Sequence, residues 1–255
     1  MSRFAIETHG LGKQFKIGVH SGSNALHQTL EAAVRRLIPG LRPEEQERGV
    51  LWALRDIDFK IEHGELVGLV GHNGAGKSVL LKLLSRITHP SEGHALIAGK
   101  VGSMLEVGAG FHPEFTGREN VFLVGATLGL RINEIRERFD EIVGFADVGN
   151  LLDTPVKRYS SGMFVRLAFS VAAHLDANIM LFDEVISVGD TSFREKCLDR
   201  IAAMAAEGRT VILVSHNMAT IERYCLRTLV LDRGTLVADG PTSQVLATLD
   251  RTRAH

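Results

Sequence analysis

The feature that most constrains the fold is a glycine-rich segment at residues 71–78, where GHNGAGKS fits the pattern GxxxxGK[ST]. An apolar run at residues 66–70 precedes it, and a helix-like stretch at residues 77–85 follows it. Glycines let backbone N–H groups curl around phosphate oxygens without a Cβ clash, and a helix N-terminus attracts anions. This order predicts a phosphate-binding loop rather than a plain connecting turn. Its candidate ligand-binding residues are Gly71, His72, Asn73, Gly74, Ala75, Gly76, Lys77 and Ser78.

The rest of the chain has the alternating pattern of an α/β protein. Its 255 residues suit one large domain, and 45% hydrophobic with 23% charged residues allow a sizeable core. Helix-like stretches separate short apolar runs, which predicts a mostly parallel sheet covered by helices. Residues 232–235 predict a hairpin turn, and residues 243–249 predict a closing helix. The buried strands are predicted at residues 66–70, 179–182, 211–214 and 228–231.

Two segments depart from this plain sheet. Residues 17–50 are interpreted as an N-terminal insertion whose helix-like stretch could lie against another protein, a lipid surface or its own domain. Residues 108–170 are mostly helical by pattern and predict a helical subdomain. The core of the single domain is then formed by residues 1–107 and 171–255.

Charge and cysteine usage exclude several function classes. The net charge of −1 gives no global basic field, so no nucleic-acid partner is expected. Cys197 and Cys225 lack metal-type spacing, which argues against a zinc site or a disulfide framework. The first residues lack the apolar run of a signal peptide, and no stretch of about 18–20 apolar residues predicts a membrane span.

A second motif carries two carboxylates, Asp183 and Glu184, directly after the apolar run at residues 179–182. In enzymes with a phosphate-binding loop, we expect such a strand beside the strand that leads into the loop. Asp183 would then face Mg²⁺ together with Ser78, and Glu184 would polarise the attacking water. Taken alone, the carboxylates could equally mark a solvated strand end. Their occurrence together with the loop favours nucleotide hydrolysis.

Residues 159–163, Tyr-Ser-Ser-Gly-Met, narrow the class of enzyme. They resemble the signature motif of ABC transporter ATPases, usually written LSGGQ. In that family the signature of one subunit closes over ATP that the phosphate loop of another subunit holds. The resemblance implies that Ser160 and Gly162 contact the γ-phosphate, whereas the other three positions differ from the motif. The serines can also cap the helix that follows.

Two further motifs occur in the order typical of that family. Residues 187–190, Ser-Val-Gly-Asp, match the D-loop, which implies a place for Asp190 at the nucleotide site. Residues 215–217, Ser-His-Asn, match the switch histidine, so the resemblance implies that His216 contacts the γ-phosphate during catalysis. A histidine at a strand end is otherwise more often an ordinary surface residue.

One subgroup of the family is especially similar. Residues 108–120, GAGFHPEFTGREN, resemble a segment of the ATPases that export bacterial polysaccharides such as O-antigen, capsule and teichoic acid. Residues 153–158 and 188–197 resemble the same subgroup. The resemblance covers nearly the whole chain and implies an ATP-hydrolysing subunit that powers export of a lipid-linked polysaccharide across the inner membrane.

Two positions differ from the usual family pattern. The Q-loop glutamine is missing, since no glutamine occurs between Lys77 and Lys157, and Glu106 is the nearest polar candidate for its role or as an Mg²⁺ ligand. The family also stacks an aromatic ring on adenine. Phe15 stands at about the right place for this ring, and Trp52 is a rival for which we prefer ordinary core packing.

The resemblance also implies an assembly. Two copies of the chain would sandwich ATP and Mg²⁺, and their closure would move integral membrane permease subunits that carry the lipid-linked glycan. The chain would then be peripheral, at the cytoplasmic face of the inner membrane. The alternatives are a different cargo, a non-transport ABC ATPase, or a P-loop kinase. Non-transport members usually carry long coiled coils or tandem ATPase domains, and a kinase would need neither the signature nor His216.

Overall fold

A computed structural model describes residues 3–16, 49–105, 108, 110–183 and 190–253. The strands are β1 (Phe4–Lys16), β2 (Val50–Ile57), β3 (Lys60–Glu62), β4 (Leu66–Val70), β5 (Glu92–Ile97), β6 (Val101–Met104), β7 (Ile179–Asp183), β8 (Thr210–Val214), β9 (Arg227–Asp232) and β10 (Thr235–Pro241). The helices are α1 (Lys77–Leu84), α2 (Gly117–Thr127), α3 (Ile132–Ala146), α4 (Ser161–Ala173), α5 (Thr191–Ala206), α6 (Met218–Tyr224) and α7 (Thr242–Arg253).

The larger sheet has six strands in the order β10-β9-β4-β8-β7-β6. Neighbouring strands from β9 to β6 are parallel, and only β10 is antiparallel to its neighbour. The central strands β4, β7 and β8 are buried along nearly their whole length, as expected for a parallel sheet with both faces covered. The prediction of an α/β fold with a mostly parallel sheet is therefore confirmed.

The smaller, antiparallel sheet is a feature that the sequence patterns do not predict. Strand β1 pairs with β2, β3 and β5, and register shifts interrupt each of these pairings. Its residues alternate irregularly between buried and exposed positions. A curled strand of this kind leaves no continuous apolar run, which is the signal that identifies the strands of the larger sheet.

The strand order corrects one expectation. The sequence predicts the acidic strand β7 beside β4, and this prediction is wrong because β8 lies between them. Val214 of β8 has Leu69 of β4 as its partner on one side and Asp183 of β7 on the other. With β8 in this position, the carboxyl ends of three strands share one edge of the sheet. The loops after β4, β7 and β8 therefore leave from the same edge.

The two faces of the larger sheet are covered differently. Successive residues of a strand point to opposite faces. Met180 and Phe182 of β7 belong to a core cluster shared with α4 and α5, whereas Ile179 and Leu181 belong to a cluster shared with α1 and the smaller sheet. Helix α1 and the phosphate loop are thus held between the two sheets.

Residues 117–173 contain three helices, α2 to α4, and the short 3-10 helices Gly149–Leu151 and Val156–Arg158. Helix α2 begins with a capping box, in which Thr116 and Glu119 satisfy each other's backbone N–H groups. Helix α4 continues to Ala173, so the predicted subdomain boundary at residue 170 falls inside a helix. A helix packed as one rigid element cannot be divided there.

The segment predicted as an insertion lies mostly outside the described residues. Its last predicted residue, Val50, is instead the first residue of β2. Val50 is the partner of Lys16 at the end of β1, so the chain leaves and re-enters the smaller sheet at one place. None of the helices in the described part of the chain combines the length and the hydrophobicity that a membrane span requires.

Candidate active site

The phosphate loop connects β4 to α1 with very close backbone packing. A Cβ on Gly71 would lie 2.3 Å from the carbonyl oxygen of Leu231, and a Cβ on Gly76 would lie 2.7 Å from that of Ala53. Gly76 also has a φ of 107°, a left-handed conformation that other residues rarely adopt. These two glycines are therefore required by the packing of the loop against both sheets.

The loop ends where α1 presents its first backbone N–H groups. Within the described part of the chain, no side chain caps this helix, whose N-cap residue is Gly76. Lys77, the first residue of α1, is only 6% exposed. Its Nζ donates to the carbonyl oxygens of Gly71 at 2.7 Å and His72 at 3.1 Å. The ammonium group is thus held above the loop, where helix-end donors and a positive charge together favour an anion.

Ser78 and Asp183 are brought together from positions 105 residues apart. The Ser78 hydroxyl donates to Oδ2 of Asp183 at 2.8 Å. A hydroxyl and a carboxylate are hard oxygen ligands of the kind that Mg²⁺ prefers, and Mg²⁺ commonly takes few protein ligands with water and phosphate oxygens. These two residues therefore fit a magnesium ion, which would neutralise phosphate charge at this edge of the sheet.

The other predicted catalytic and metal-binding residues are only partly described. His216 is exposed and follows β8 by two residues, at the same sheet edge as the phosphate loop and Asp183. Asn217 next to it caps α6 by accepting from the N–H of Thr220 at 3.3 Å. Glu184 and Glu106 lie outside the described residues.

The signature residues stand at the start of α4. Ser160 is the N-cap residue, and its Oγ accepts from the N–H of Met163 at 3.2 Å. Of the two serines considered as the cap, Ser160 fills that position. A Cβ on Gly162 would meet only Ser160 Oγ at 3.9 Å, so this side of the helix end is open. Helix α4 packs on α2, α3, α5 and β6. Ser160 and Gly162 are therefore carried by a helix that packs within the helical segment and against β6.

Arg166 links the signature helix to Asp190, a residue that the sequence analysis places at the nucleotide site. Asp190 caps α5, and its carboxylate accepts a hydrogen bond from the Arg166 guanidinium. The Phe193 N–H, and secondly Arg166, hold the pKa of Asp190 below its ordinary value. Arg166 also lies 3.6 Å from Asp147 Oδ2 and over the Phe193 ring. No motif in the sequence identifies Arg166, although a lone charge in an apolar helix generally has a partner.

The two candidates for adenine stacking differ in their surroundings. Phe15 is 45% exposed near the end of β1, with Lys13 Nζ 5.4 Å from its ring centroid. Trp52 of β2 is partly buried, packs closely against Gly12, and carries the Arg55 guanidinium over its ring. Phe15 therefore presents the more accessible ring.

The segment at residues 111–119 is organised around Asn120, which is fully buried. Its Oδ1 accepts from the N–H of His112 at 2.7 Å. Its Nδ2 donates to three carbonyl oxygens, those of His112, Phe115 and Thr116. A buried amide with all these partners gives the loop one defined shape.

Tyr159 connects this segment to the signature. Its hydroxyl donates to the carbonyl oxygen of Leu151 at 2.8 Å. A Cβ on Gly117, the first residue of α2, would lie 2.2 Å from the same hydroxyl. The Tyr159 hydroxyl therefore occupies the space that a side chain at position 117 would need.

Comparisons with known proteins agree with this geometry. The family model described as ABC transporter matches residues 54–187. An O-antigen export system ATP-binding protein, RfbB of Klebsiella pneumoniae, is 42% identical over 194 residues, which cover 76% of this chain and 79% of that protein. RfbB of Myxococcus xanthus is 41% identical over 221 residues, or 87% of this chain, and this chain spans about half of its length (50%). The teichoic acids export ATP-binding protein TagH of Listeria monocytogenes is 34% identical over 94% of this chain and 71% of that protein.

Solved structures give the same fold. The dimeric ATP-binding cassette MJ0796 in a post-hydrolysis state, bound to ADP and Pi, matches with a TM-score of 0.73. The match covers 93% of this chain and 98% of that one, at 20% identity. A structure described as the ATP binding subunit of an ABC transporter matches with a TM-score of 0.74 at 22% identity, covering 96% and 93% of the two chains. The family model and these relatives identify the same family as the phosphate loop and the acidic strand do. The chain belongs to the ABC transporter family, among its ATP-binding proteins.

Proposed function

We propose that this chain is the ATP-hydrolysing subunit of an ABC transporter that exports a lipid-linked polysaccharide such as O-antigen. The observation that carries the proposal is the pairing of Ser78 with Asp183 beside the buried Lys77, at the edge of the sheet. This arrangement suits a magnesium-bound nucleotide, and the relatives named above support the export role.

In this proposal, residues 71–78 cradle the phosphates of ATP with backbone N–H groups, and Lys77 turns from the loop carbonyls to the β- and γ-phosphates. Mg²⁺ supplies charge neutralisation when it is held by Ser78 and Asp183. Glu184 follows Asp183 directly and is assigned as the group that polarises the attacking water. His216 at the same edge contacts the γ-phosphate, and Glu106 is assigned to the Q-loop position.

A second copy of the chain completes the site. Ser160 and Gly162 stand at an open helix end on α4, which packs on α2, α3, α5 and β6. They can therefore serve ATP held by a partner copy, with Asp190 nearby through Arg166. Phe15 stacks on adenine because its ring is accessible. ATP binding favours the closed dimer by its differential affinity for that state.

Permease subunits dock next to the segment at residues 108–120. A cleft of about 330 Å³ lies there between the larger sheet and the helices α2 and α4. Its lining includes Met104, Leu105, Phe111 and Val124 and is mainly apolar. Such a cleft suits an amphipathic helical segment of another protein. The permease would carry the glycan, and this chain would be peripheral at the cytoplasmic face of the inner membrane.

The test replaces the chromosomal gene with a Glu184→Gln variant and measures surface polysaccharides and their lipid-linked precursors. We expect loss of one surface polysaccharide with its precursor accumulating inside the cell, because the variant binds ATP but hydrolyses it slowly. Glu137→Gln, the same substitution at an exposed position of α3, is the control and leaves the glycans unchanged. Unchanged glycans in a strain that contains the Glu184→Gln protein would contradict the polysaccharide assignment.

A further inference from the structure

The turn between β9 and β10 supports the outer side of the phosphate loop. Besides the close approach of Gly71 to β9, the Gly234 N–H donates to the Ala75 carbonyl oxygen at 3.0 Å. A side-chain contact joins the same two segments, since Nε2 of His72 lies 2.8 Å from Oδ1 of Asp232. This last contact can be removed by mutation without changing the backbone of either segment.

The hydrogen-bond chemistry of the His72 ring defines what Asp232 does. A carboxylate oxygen only accepts, so the contact requires a proton on Nε2, which both the imidazolium ion and one neutral tautomer provide. The other ring nitrogen, Nδ1, lies 2.6 Å from the carbonyl oxygen of Asn73. Only the imidazolium ion, with a proton on each ring nitrogen, can donate to both oxygens, whereas the neutral Nε2–H tautomer donates to Asp232 alone. Asp232 is itself fixed in the turn, where its carbonyl oxygen accepts from the Thr235 hydroxyl at 2.9 Å.

A cavity of about 420 Å³ adjoins this pair. Its lining includes Val70, Met218, Val245 and Leu249, with His72 and Asp232 among the polar groups. Packed side chains hold a backbone segment by many small dispersion contacts, and a segment that borders a cavity has fewer of them. The start of the phosphate loop borders this cavity. The polar contacts between the loop and the turn therefore contribute a larger share of the interactions that hold the loop in place.

We propose that Asp232 is a positioning residue for ATP binding, which acts by holding the start of the phosphate loop through the side chain of His72. This inference rests on the proposed ATP-binding function and adds a residue from outside the known motifs. A loop that is already ordered loses less conformational freedom when it binds phosphate. Because the Asp232 carboxylate acts through the His72 ring, we expect its loss to weaken ATP binding without slowing the chemical step.

The test measures ATP affinity by calorimetry with MgATP, and KM and kcat for ATP hydrolysis, on the full chain. We expect Asp232→Ala to raise Kd and KM about two- to fivefold with kcat unchanged, the range for an exposed ion pair. His72→Ala raises them by a similar factor, and the double variant raises them no further. Asp232→Asn and His72→Gln, which keep an acceptor and a donor, retain most of the wild-type affinity.

The control is Glu62→Ala, which removes a similarly exposed ion pair with Arg3 at 2.7 Å. Glu62 ends β3, four residues before β4 begins, and therefore lies away from the phosphate loop; its loss leaves ATP affinity unchanged. Wild-type affinity in Asp232→Ala, or additive losses in the double variant, would overturn the inference. Failure of the wild-type chain to bind MgATP would instead contradict the proposed function.

Discussion

Lys77 and Ser78 are neighbours in the chain, yet their side chains have different partners. Lys77 donates to carbonyl oxygens of its own loop, whereas Ser78 reaches a carboxylate at the end of β7. The first contact provides the buried ammonium group of Lys77 with hydrogen-bond acceptors. A buried charge without such partners would be strongly destabilising. The second positions two oxygen ligands side by side. At the scale of single residues, the loop is therefore arranged for a charged ligand and its cation.

Replacing Lys77 with alanine tests this arrangement. We expect Lys77→Ala to weaken MgATP binding about 10- to 100-fold, because a hydrogen bond to a charged group contributes about 1.5–3 kcal/mol. Calorimetric titration with MgATP measures the change. Lys60→Ala, which removes a lysine paired with Glu7 on the smaller sheet, is the control and keeps wild-type affinity. Equal affinities of the two variants would remove Lys77 from its proposed role.

At the scale of elements, the start of α2 and the signature are coupled by shape. Tyr159 fills the position above Gly117 and bonds to the short helix at Leu151. The signature motif of the family usually has leucine at the tyrosine position. The hydroxyl therefore gives this chain an additional connection between the segment proposed to meet the permease and the helix proposed to meet ATP.

The substitution Gly117→Ala tests this coupling. The new methyl group would overlap the Tyr159 hydroxyl, so we expect a loss of about 1–3 kcal/mol in the free energy of unfolding. Gly144→Ala, in the open interior of α3, is the control and should be neutral or stabilising by up to about 1 kcal/mol. Adding Tyr159→Phe to Gly117→Ala removes the overlapping oxygen and should recover part of the loss. Chemical denaturation measures the three variants and the wild type; equal stability of Gly117→Ala and Gly144→Ala would contradict the proposed overlap.

At the scale of the whole molecule, the sequence predicts an element most reliably when a single local signal, such as an apolar run or a turn motif, determines it. Strands β4, β7, β8 and β9 contain the predicted apolar runs, whereas β6 does not have one. The predicted turn at residues 232–235 joins β9 to β10, with Arg233 and Gly234 both in the left-handed region. The position of β8 between β4 and β7 could not be predicted, because strand order depends on long-range pairing. Strand β1 also depends on long-range pairing, with β2, β3 and β5, and the register shifts in these pairings leave no regular period in its sequence.

In the candidate site too, residues within local motifs are predictable, whereas contacts between distant residues are not. The motifs identify Ser78 and Asp183 from local patterns, and the structure adds that their side chains touch. Local patterns do not identify Arg166 or Asp232, because their partners Asp190 and His72 are distant in sequence. Side-chain pairs of this kind follow from the fold and not from any motif.

The central claim is that two copies of this chain enclose ATP, and one measurement tests it most directly. The mass in solution of the Glu184→Gln variant is determined by light scattering with and without MgATP. We predict a monomer without nucleotide and a stable dimer with it, while hydrolysis falls about 10²- to 10⁴-fold because the general base is lost. A variant that stays monomeric with ATP bound, or that hydrolyses ATP at the wild-type rate, would contradict the account.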